Sequence, residues 1–255
     1  MSGPTASASQ AYGIDIGGSG MKGALVDTRT GELLTERQRV PTPQPSTPKA
    51  VGKVVGELCA QAGSPRLVGT TFPAIIQHGV ARSAANVDKS WIGTDVDNVF
   101  TEACGAEVHV LNDADAAGLA EVRFGAARDV PGLVIVLTFG TGIGSGIFVD
   151  GRLVPNSELG HLEINGKDAE RKAAASARER EQLSFEEWAK RVNRYLHHVE
   201  ALFTPDLFVL GGGVSKQSNK WVPLLDVNTP IRIAQLLNNA GIVGAAIAVA
   251  ERLGG

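Results

Sequence analysis

The feature that most constrains the fold is a glycine-rich hairpin pattern that occurs twice. The first copy reads YGIDIGGSGMKGALVD and the second reads IVLTFGTGIGSGIFVD, each with an apolar run, a glycine-rich turn and a second apolar run. One offset superposes Gly17 on Gly140 and Asp27 on Asp150. Apolar runs on both sides of a short glycine turn predict antiparallel strands. A unit of this kind in each half of the chain indicates internal duplication and two similar α/β lobes.

The two turns are candidate phosphate-binding loops. Exposed backbone N–H groups in such turns form anion-binding concavities, and glycine lets a phosphate approach closely. The GxGxxG spacing of the first turn does not indicate a dinucleotide fold, because a strand follows it where that fold needs a helix. The alternative is that both are ordinary tight hairpin turns. The predicted phosphate-binding residues are Gly17, Gly18, Ser19, Gly20 and Lys22 in the first copy and Thr138, Gly140, Thr141 and Gly142 in the second.

The two copies differ at charged positions. Asp15 aligns with Thr138, and Lys22 aligns with Ser145. A carboxylate beside a phosphate loop repels its ligand unless it holds Mg²⁺, directly or through water, so Asp15 is the predicted metal ligand. Lys22 is a candidate cation for a phosphate, and a solvated surface lysine is the alternative.

A second acidic candidate lies between the repeats, in VHVLNDADAAGLAEVRFGAA. This apolar strand ends at Asn112 and Asp113 and leads into an alanine-rich helix. Ligands favour the crevice beyond the carboxyl ends of strands in α/β sheets, so Asp113 is placed to accept the proton of an attacking hydroxyl. Asn and Asp are also preferred helix N-caps, which is the competing explanation. Asp115 is a second carboxylate, for which the helix dipole is the simpler account.

Composition limits the class of protein. The 255 residues are 43% hydrophobic with a net charge of −3, which indicates a globular chain without general attraction to nucleic acid or acidic membranes. No apolar run approaches the roughly 20 residues that cross a bilayer, and the opening MSGPTASASQ lacks the features of a signal peptide. Cys59 and Cys104 show neither metal-ligand spacing nor a disulfide framework, so we expect a reducing, cytoplasmic location.

Five motifs in order resemble the ROK family of sugar kinases: DIGGSGMKGALVD, LNDADAA, LTFGTGIGSGIF, ELGH and LFVLGGGVS. Three further segments, ANVDKSWIGTDV, ELGHLEINGKDAE and NNAGIVGAA, are similar to polyphosphate glucokinases of actinobacterial type. The resemblance implies an α/β, actin/hexokinase-like (ribonuclease H-like) duplicated two-lobe fold with an active-site cleft between the lobes. We expect a flexible tail over residues 1–11, lobes over 12–111 and 112–239, and a helix over 240–255 that returns towards the first lobe.

The resemblance also implies roles for individual residues. Asp113 corresponds to the base that deprotonates the 6-hydroxyl of the sugar, and Asn112 binds the sugar beside it. Glu158 and His161 of ELGH match the sugar motif of the family, in which a glycine is usual at the position of Ser157. Asn86 is a further candidate sugar ligand.

The chain departs from the family after ELGH. Members usually continue into a cysteine-rich zinc motif, whereas this chain reads NGKDAERKAAAS, so we expect no zinc. Glu170 takes the place of the last sugar ligand if DAE replaces the end of that motif, and Glu163 is a competing carboxylate.

The predicted reaction is Mg²⁺-dependent transfer of phosphate from inorganic polyphosphate, and also ATP, to the 6-hydroxyl of glucose, with mannose as a side substrate. Gly212 and Gly213 of LFVLGGGVS are placed where kinases of this fold hold the donor. A strictly ATP-dependent hexose or amino-sugar kinase is the alternative. Candidate cations for the polyphosphate path are Lys22, Lys216, Lys220 and the segment AERKAAASARERE, which is also acidic enough to be a solvated helix.

The ROK family also contains sugar-sensing regulators with an N-terminal DNA-binding helix-turn-helix. Only about eleven residues precede the first predicted strand here, so we expect no nucleic-acid partner and no membrane partner. The resemblance implies a homodimer.

Overall fold

The computed structural model describes residues 9–253, which form two compact units. Residues up to Ala120 and from Asn238 onward belong to the first unit, and Glu121–Leu237 form the second. Residues 1–8 of the predicted tail lie outside the described residues. The remainder of that tail prediction is wrong, because Gln10 and Ala11 begin the first strand and Ala11 is buried.

The first unit is built on a five-stranded sheet in the order β3-β2-β1-β4-β7. Strands β1 and β2 form an antiparallel hairpin, β3 pairs antiparallel with β2, and β4 and β7 continue the sheet in parallel. A short separate hairpin, β5 with β6, lies between β4 and β7 in the chain. The strands are β1 Gln10–Ile16, β2 Gly20–Asp27, β3 Gln38–Pro41, β4 Leu67–Phe72, β5 Ile76–Gln77, β6 Val80–Ala81 and β7 Glu107–Asn112.

Four helices contribute to this unit: α1 Pro48–Gln61, α2 Val96–Cys104, the start of α3 Asp113–Phe124, and α7 Ala240–Leu253. Helix α1 begins where sequence rules place it, because the Thr47 side chain accepts from Ala50 N and Pro48 occupies the first turn. Helix α2 is capped by Asp95 and ends at Gly105 in the left-handed conformation.

Helix α7 packs backbone to backbone on the sheet. A β-carbon at Gly13 would overlap the carbonyl oxygen of Ile242, and one at Gly69 would overlap that of Ala245. On the same helix, a β-carbon at Gly244 would overlap the carbonyl oxygen of Ala116 in α3. This contact explains why the first half of α3 belongs with the first unit. The boundary between the units therefore falls within α3, after Ala120, and not at the predicted residue 112.

The second unit repeats the sheet of the first. Its strand order is β10-β9-β8-β11-β12, with β8–β9 as the antiparallel hairpin and β11 and β12 added in parallel. The matching order in both sheets agrees with the duplicated two-lobe fold predicted from the glycine hairpins. The elements are β8 Leu133–Phe139, β9 Ile143–Val149, β10 Arg152–Val154, β11 Leu207–Gly211, β12 Ile231–Ile233, α4 Glu170–Ala173, α5 Ala175–Arg180 and α6 Phe185–Phe203.

Helix α6 supplies the core on one face of the second sheet. It begins with a capping box in which Ser184 and Glu187 exchange hydrogen bonds, and its apolar residues recur at helical spacing. Trp188 on this helix packs edge-on against Phe139 and Trp221, with ring centroids 6.0 and 4.9 Å away. In the stretch from β10 to β12, three 3-10 helices connect the larger elements: Leu159–His161, Gly213–Lys220 and Val222–Leu224.

The structure overturns the expectation about the cysteines. Cys59 on α1 and Cys104 at the end of α2 form a disulfide, with Cα atoms 5.7 Å apart. The sequence spacing gives no sign of this pairing because close helix packing creates it. A β-carbon at Gly56 would lie 2.6 Å from the carbonyl oxygen of Ala103, so this glycine lets α1 approach α2.

Among the described residues, no helix is both long and apolar enough to cross a bilayer.

We predict that Gly69→Ala lowers the free energy of unfolding, because its new methyl group meets a backbone carbonyl of α7. The usual cost of overpacking is about 1–3 kcal/mol, and we expect a loss of this size or larger. Gly213→Ala is the matched control, since no atom lies within 4 Å of its added β-carbon. Chemical denaturation of both variants measures the difference. Equal stability of Gly69→Ala and the wild type would contradict the described packing.

Candidate active site

The first glycine turn lies at the tip of the β1–β2 hairpin. Ile16 and Met21 are the last paired residues, and Gly17 N donates to Gly20 O across the turn at 3.0 Å. Thr42, just after β3, donates its hydroxyl to Gly17 O and so supports the turn from one side. Gly18 and Ser19 are exposed. The turn thus offers backbone groups to solvent on a supported frame, as an anion-binding loop requires.

A row of charged side chains crosses the same sheet below this turn. Asp15, Lys22 and Arg39 are cross-strand partners on β1, β2 and β3. Lys22 Nζ lies 3.0 Å from Asp15 Oδ2, and the Thr71 hydroxyl donates to Asp15 Oδ1 at 3.1 Å. Lys22 is therefore ion-paired within its own sheet, and Asp15 is held by two neighbours.

Arg39 is a residue that the sequence motifs did not single out. A β-carbon at Gly20 would lie 3.3 Å from Arg39 Nε, so this exposed side chain reaches the glycine turn. No carboxylate lies within ion-pair distance of it among the residues that the structure describes. The position of Arg39 opposite Lys22 could have identified it as part of the charged row. That pairing is not visible from the sequence, because β3 has only four residues and is too short to be assigned there.

Asn112 and Asp113 lie at the carboxyl end of β7, where Asn112 is paired with Phe72 of β4. Asn112 Oδ1 accepts from Ala114 N at 2.8 Å and from Asp115 N at 3.2 Å, so Asn112 caps α3. Asp113 is exposed, and one of its oxygens accepts from Ala114 N at 2.9 Å. The cap explanation thus applies first to Asn112, which leaves the predicted proton-accepting role of Asp113 open to test.

Asn86 lies beside the first glycine turn. A β-carbon at Gly18 would be 3.7 Å from the carbonyl oxygen of Asn86 and 3.9 Å from its Cβ. The side chain of Asn86 is exposed. Its predicted role as a sugar ligand stays a prediction, and the structure adds that it adjoins a candidate phosphate loop of the same unit.

The second glycine turn, at the tip of β8–β9, is one residue shorter than the first. Phe139 and Ile143 are the last paired residues, and Gly140 N donates to Gly142 O at 2.9 Å. Ser145 therefore pairs with Leu137 and not with Thr138. The superposition of Lys22 on Ser145 is wrong in register, because a shift by one residue turns a side chain to the opposite face of the sheet.

Ser145 of β9 forms hydrogen bonds to Ser157 and Leu159 that hold the ELGH segment against this strand. Its hydroxyl donates to Ser157 O at 2.7 Å and accepts from Leu159 N at 2.9 Å, while the Ser157 hydroxyl donates to Ser145 O at 3.1 Å. Ser157 is the position where the resembling family usually has glycine. These bonds set the start of the 3-10 helix Leu159–His161, which Glu158 directly precedes and which ends at His161.

Glu170 links the same segment to the tip of the hairpin. Its Oε2 accepts from Ile143 N at 3.0 Å, and a β-carbon at Gly142 would overlap this carboxylate. A β-carbon at Gly160 would lie 3.1 Å from the same oxygen. Beneath it, burial and the negative charge of Glu170 raise the pKa of the Tyr195 hydroxyl. The hydrogen bond from Ile143 N to Glu170 thus connects a predicted sugar ligand to a predicted phosphate loop.

Glu158, His161 and Glu170 come together within the second unit. His161 Nε2 lies 3.8 Å from Glu158 Oε2, and its Nδ1 lies 3.8 Å from Asp168 Oδ2. Burial raises the pKa of the Glu158 carboxyl, His161 opposes that shift, and the nearby Glu170 adds to it. Glu163 is exposed, whereas the Glu170 carboxylate packs against Gly142 and against Gly160 of the ELGH segment, so the packing favours Glu170 over Glu163 as the partner of Glu158.

A tight turn replaces the cysteine-rich motif of the family. Ile164 N donates to Lys167 O at 2.9 Å across Asn165 and Gly166, both with positive φ. This is the geometry that an Asn-Gly pair favours in a two-residue hairpin turn. Arg194 on α6 holds the turn through Asn165 Oδ1 at 2.9 Å. Within residues 9–253 no cluster of three or more His, Cys, Asp or Glu side chains could hold a metal ion.

The third glycine segment follows β11. Gly212 has a φ of 88°, and a β-carbon there would overlap backbone atoms of Phe139. Only glycine fits this combination of left-handed backbone and close approach. The predicted donor residue Gly212 therefore lies against the base of the second glycine turn, and Gly213 follows it with open space around its α-carbon.

The raised pKa of Glu158 predicts a pH-dependent gain in stability for Glu158→Gln. Below the ordinary glutamate pKa the carboxyl is neutral in the folded and unfolded states, so wild type and variant unfold alike. As the pH rises through the folded-state pKa, the wild type loses stability by ionising a partly buried group, and the variant does not. Thermal unfolding between about pH 4 and pH 8 measures this difference. A constant difference across that range would contradict the shift.

Comparison with known proteins agrees with the motifs. The sequence profile of the ROK family matches residues 11–173. A polyphosphate glucokinase of Mycobacterium tuberculosis is 53% identical over 238 residues, 93% of this chain and 90% of that protein. The crystal structure of an inorganic polyphosphate/ATP-glucomannokinase from an Arthrobacter strain superposes with a TM-score of 0.91 at 55% identity, over 96% of this chain and 99% of the other.

A more distant structure supports the fold alone. A ROK family glucokinase from Streptomyces griseus, crystallised with glucose and AMPPNP, has a TM-score of 0.80 at 24% identity, over 95% of this chain. The motif order, the duplicated sheets and the match over most of the sequence lead to one assignment. The chain belongs to the ROK family, with the actin/hexokinase-like fold of its sugar kinases.

Proposed function

We propose that this protein is a glucokinase that transfers a phosphoryl group from inorganic polyphosphate, and also from ATP, to the 6-hydroxyl of glucose. The observation that carries the proposal is the identity of 53% and 55% to a polyphosphate glucokinase and a polyphosphate/ATP-glucomannokinase over nearly the whole chain. The second of these names supports mannose as a side substrate.

The side chains of the second unit suit a sugar. A hexose presents neighbouring hydroxyl groups, each a donor and an acceptor, and carboxylates with an imidazole are good partners for them. Glu158 and Glu170 accept from hydroxyl groups, and His161 completes the set. The partly buried Glu158 carboxylate gains hydrogen bonds from the sugar that offset its cost of burial, which favours glucose over a ligand that lacks the matching hydroxyl.

Asp113 acts as the general base. Its carboxylate accepts the proton of the 6-hydroxyl while that oxygen forms a bond to the terminal phosphorus of the donor. The bond between this phosphorus and the bridging oxygen breaks, and the shortened donor leaves with the electron pair. Asn112 contributes by fixing the start of α3, which sets the position of Asp113.

The donor phosphates bind to the glycine turns. Backbone N–H groups at Gly18, Ser19 and Thr141 supply hydrogen bonds, and Lys22 and Arg39 add positive charge beside the first turn. Gly212 and Gly213 provide a third segment of glycine backbone for the donor in the second unit.

Mg²⁺ is the proposed cofactor, and the residues present fit it. Mg²⁺ prefers oxygen ligands and is commonly held by one or two carboxylates together with substrate phosphates and water. Asp15 supplies such a carboxylate below the first turn, and its contacts with Lys22 and Thr71 favour an interaction through water. When bound, the ion neutralises charge on the donor phosphates. The cysteine-free turn at Asn165 and Gly166 offers no zinc ligands of the kind the family uses.

The charged donor and product favour a cytoplasmic location, which fractionation of cells would test. A homodimer, supported by the resemblance to the ROK family, is tested by sedimentation velocity. A disulfide is uncommon in the cytosol, so alkylation of rapidly quenched cells would show whether Cys59 and Cys104 are paired there.

Asp113→Asn is predicted to lower kcat by about 10²–10⁴-fold, the usual contribution of a general base, and to leave glucose affinity within a few fold. The amide cannot accept the proton but preserves shape. Initial rates and calorimetric glucose binding measure the two effects. Asp129→Asn, at an exposed aspartate, is the control for a carboxylate-to-amide change. A near-normal rate for Asp113→Asn would show that the residue only caps α3.

Donor competition separates the proposal from a strictly ATP-dependent kinase. Wild-type protein with glucose and Mg²⁺ is predicted to form glucose 6-phosphate from either donor, and each donor is predicted to inhibit use of the other competitively, because both deliver phosphate to one acceptor. Formation of product from ATP but not from polyphosphate would establish a strictly ATP-dependent kinase. Absence of product with either donor would refute glucokinase activity.

A further inference from the structure

We propose that Arg178 and Lys220 form a binding site for the part of the polyphosphate chain that lies beyond the transferred phosphate. Both cations lie against the ring of Phe185, with Arg178 Cζ 3.9 Å and Lys220 Nζ 5.5 Å from its centroid. The inference rests on the proposed function, since it names where the donor of that reaction is held.

Three cations near the start of α6 are ion-paired with one shared carboxylate. Glu181 lies 2.7 Å from Arg191 Nη2, 3.1 Å from Arg180 Nη2 and 3.3 Å from Lys172 Nζ. Hydrogen bonds from Arg191, Arg180 and Lys172 lower the pKa of the Glu181 carboxyl to about 2. Lys172, Arg180 and Arg191 are thus already held by a carboxylate, so they are poor candidates for binding a long anion.

Arg178 and Lys220 differ from these neighbours. In the part of the chain that the structure describes, neither has a carboxylate within ion-pair distance. Arg178 Nε is covered and has no acceptor there, and Lys220 Nζ donates only to Gln217 Oε1, at 3.1 Å. Two positive groups beside one ring repel each other, and an anion bound beside both offsets that repulsion. The pair therefore offers an anionic ligand two charges that no carboxylate of the described residues occupies.

The anchoring of this pair connects it to the second glycine turn. Ser176 on α5 donates its N–H to Gly140 O at 3.0 Å and its hydroxyl to Thr141 O at 2.6 Å, and Arg178 follows two residues later. Phe185 contacts Trp188 at 6.4 Å between ring centroids, and Trp188 contacts Phe139 at 6.0 Å. Phe139 directly precedes the turn, so the cations are held on the same packed framework as a predicted phosphate loop.

The chemistry of the pair fits a phosphate chain. A guanidinium is planar and binds two phosphate oxygens at once, and an ammonium is a point charge for further oxygens. Lys216 is a further exposed cation on the 3-10 helix that carries Lys220. Lys22 was another candidate for the path, but its ion pair with Asp15 makes it a weaker one. A chain longer than the three phosphates of ATP gains most from cations outside the turn.

The test compares Arg178→Gln and Lys220→Gln with Arg180→Gln, which removes the same charge from a cation already paired with Glu181. We expect the KM for long-chain polyphosphate to rise about tenfold or more in the first two variants, because each loses charged hydrogen bonds to phosphate. We expect Arg180→Gln to stay within about twofold, and the KM for ATP and for glucose to stay within about twofold in all three. Arg178→Lys retains the charge and is predicted to restore part of the affinity.

Calorimetric binding of long-chain polyphosphate and of tripolyphosphate without glucose gives a readout that needs no turnover. The slope of log Kd against log salt is predicted to fall by about one in Arg178→Gln for the long chain. Thermal unfolding checks that the variants are folded. Equal polyphosphate affinity in Arg178→Gln and Arg180→Gln would overturn the site. A KM for ATP that rises in Arg178→Gln as much as the KM for polyphosphate would also overturn it. Wild-type protein that binds polyphosphate but forms no glucose 6-phosphate would instead refute the proposed function and leave the site assignment standing.

Discussion

The contacts between strand β9 and the segment 157–170 are the constraint on which the second unit depends. The Ser145 hydroxyl holds Leu159 N, and the Glu170 carboxylate holds Ile143 N next to the glycine turn. Through these bonds one hairpin positions both a turn proposed to bind phosphate and the carboxylates proposed to bind the sugar. A kinase benefits from such a frame, because group transfer is fast only when acceptor and donor are held in a narrow range of geometries.

The first unit uses the same sheet for different chemistry. Its strand order matches that of the second unit, yet it carries Asp15, Lys22 and Arg39 below its turn where the second unit has none of these charges. The close backbone packing of α7 at Gly69 stabilises the strands whose carboxyl ends carry Asp15 and Asn112. Duplication thus supplied two similar scaffolds, and substitution at a few positions separated their proposed tasks.

Sequence patterns predicted the local features well and the long-range contacts poorly. Strand-turn-strand patterns and a strand ending at Asn112 follow from periodicity and glycine placement, which are encoded in neighbouring residues. The disulfide of Cys59 with Cys104 depends on helix packing over a separation of 45 residues, and the one-residue difference in register at Ser145 depends on turn length in three dimensions. Similarly, composition cannot show that Arg180 pairs with Glu181 while Arg178 has no carboxylate partner within residues 9–253.

Glu158 and Glu170, set by the β8–β9 hairpin, form the proposed binding site for the acceptor sugar. A crystal structure of the protein with glucose bound tests this site most directly. We expect ring hydroxyl groups of glucose to donate to the carboxylates of Glu158 and Glu170 while Ile143 N stays bonded to Glu170 Oε2. Glucose bound to Glu163 in place of Glu170, or bound away from the ELGH segment, would contradict it.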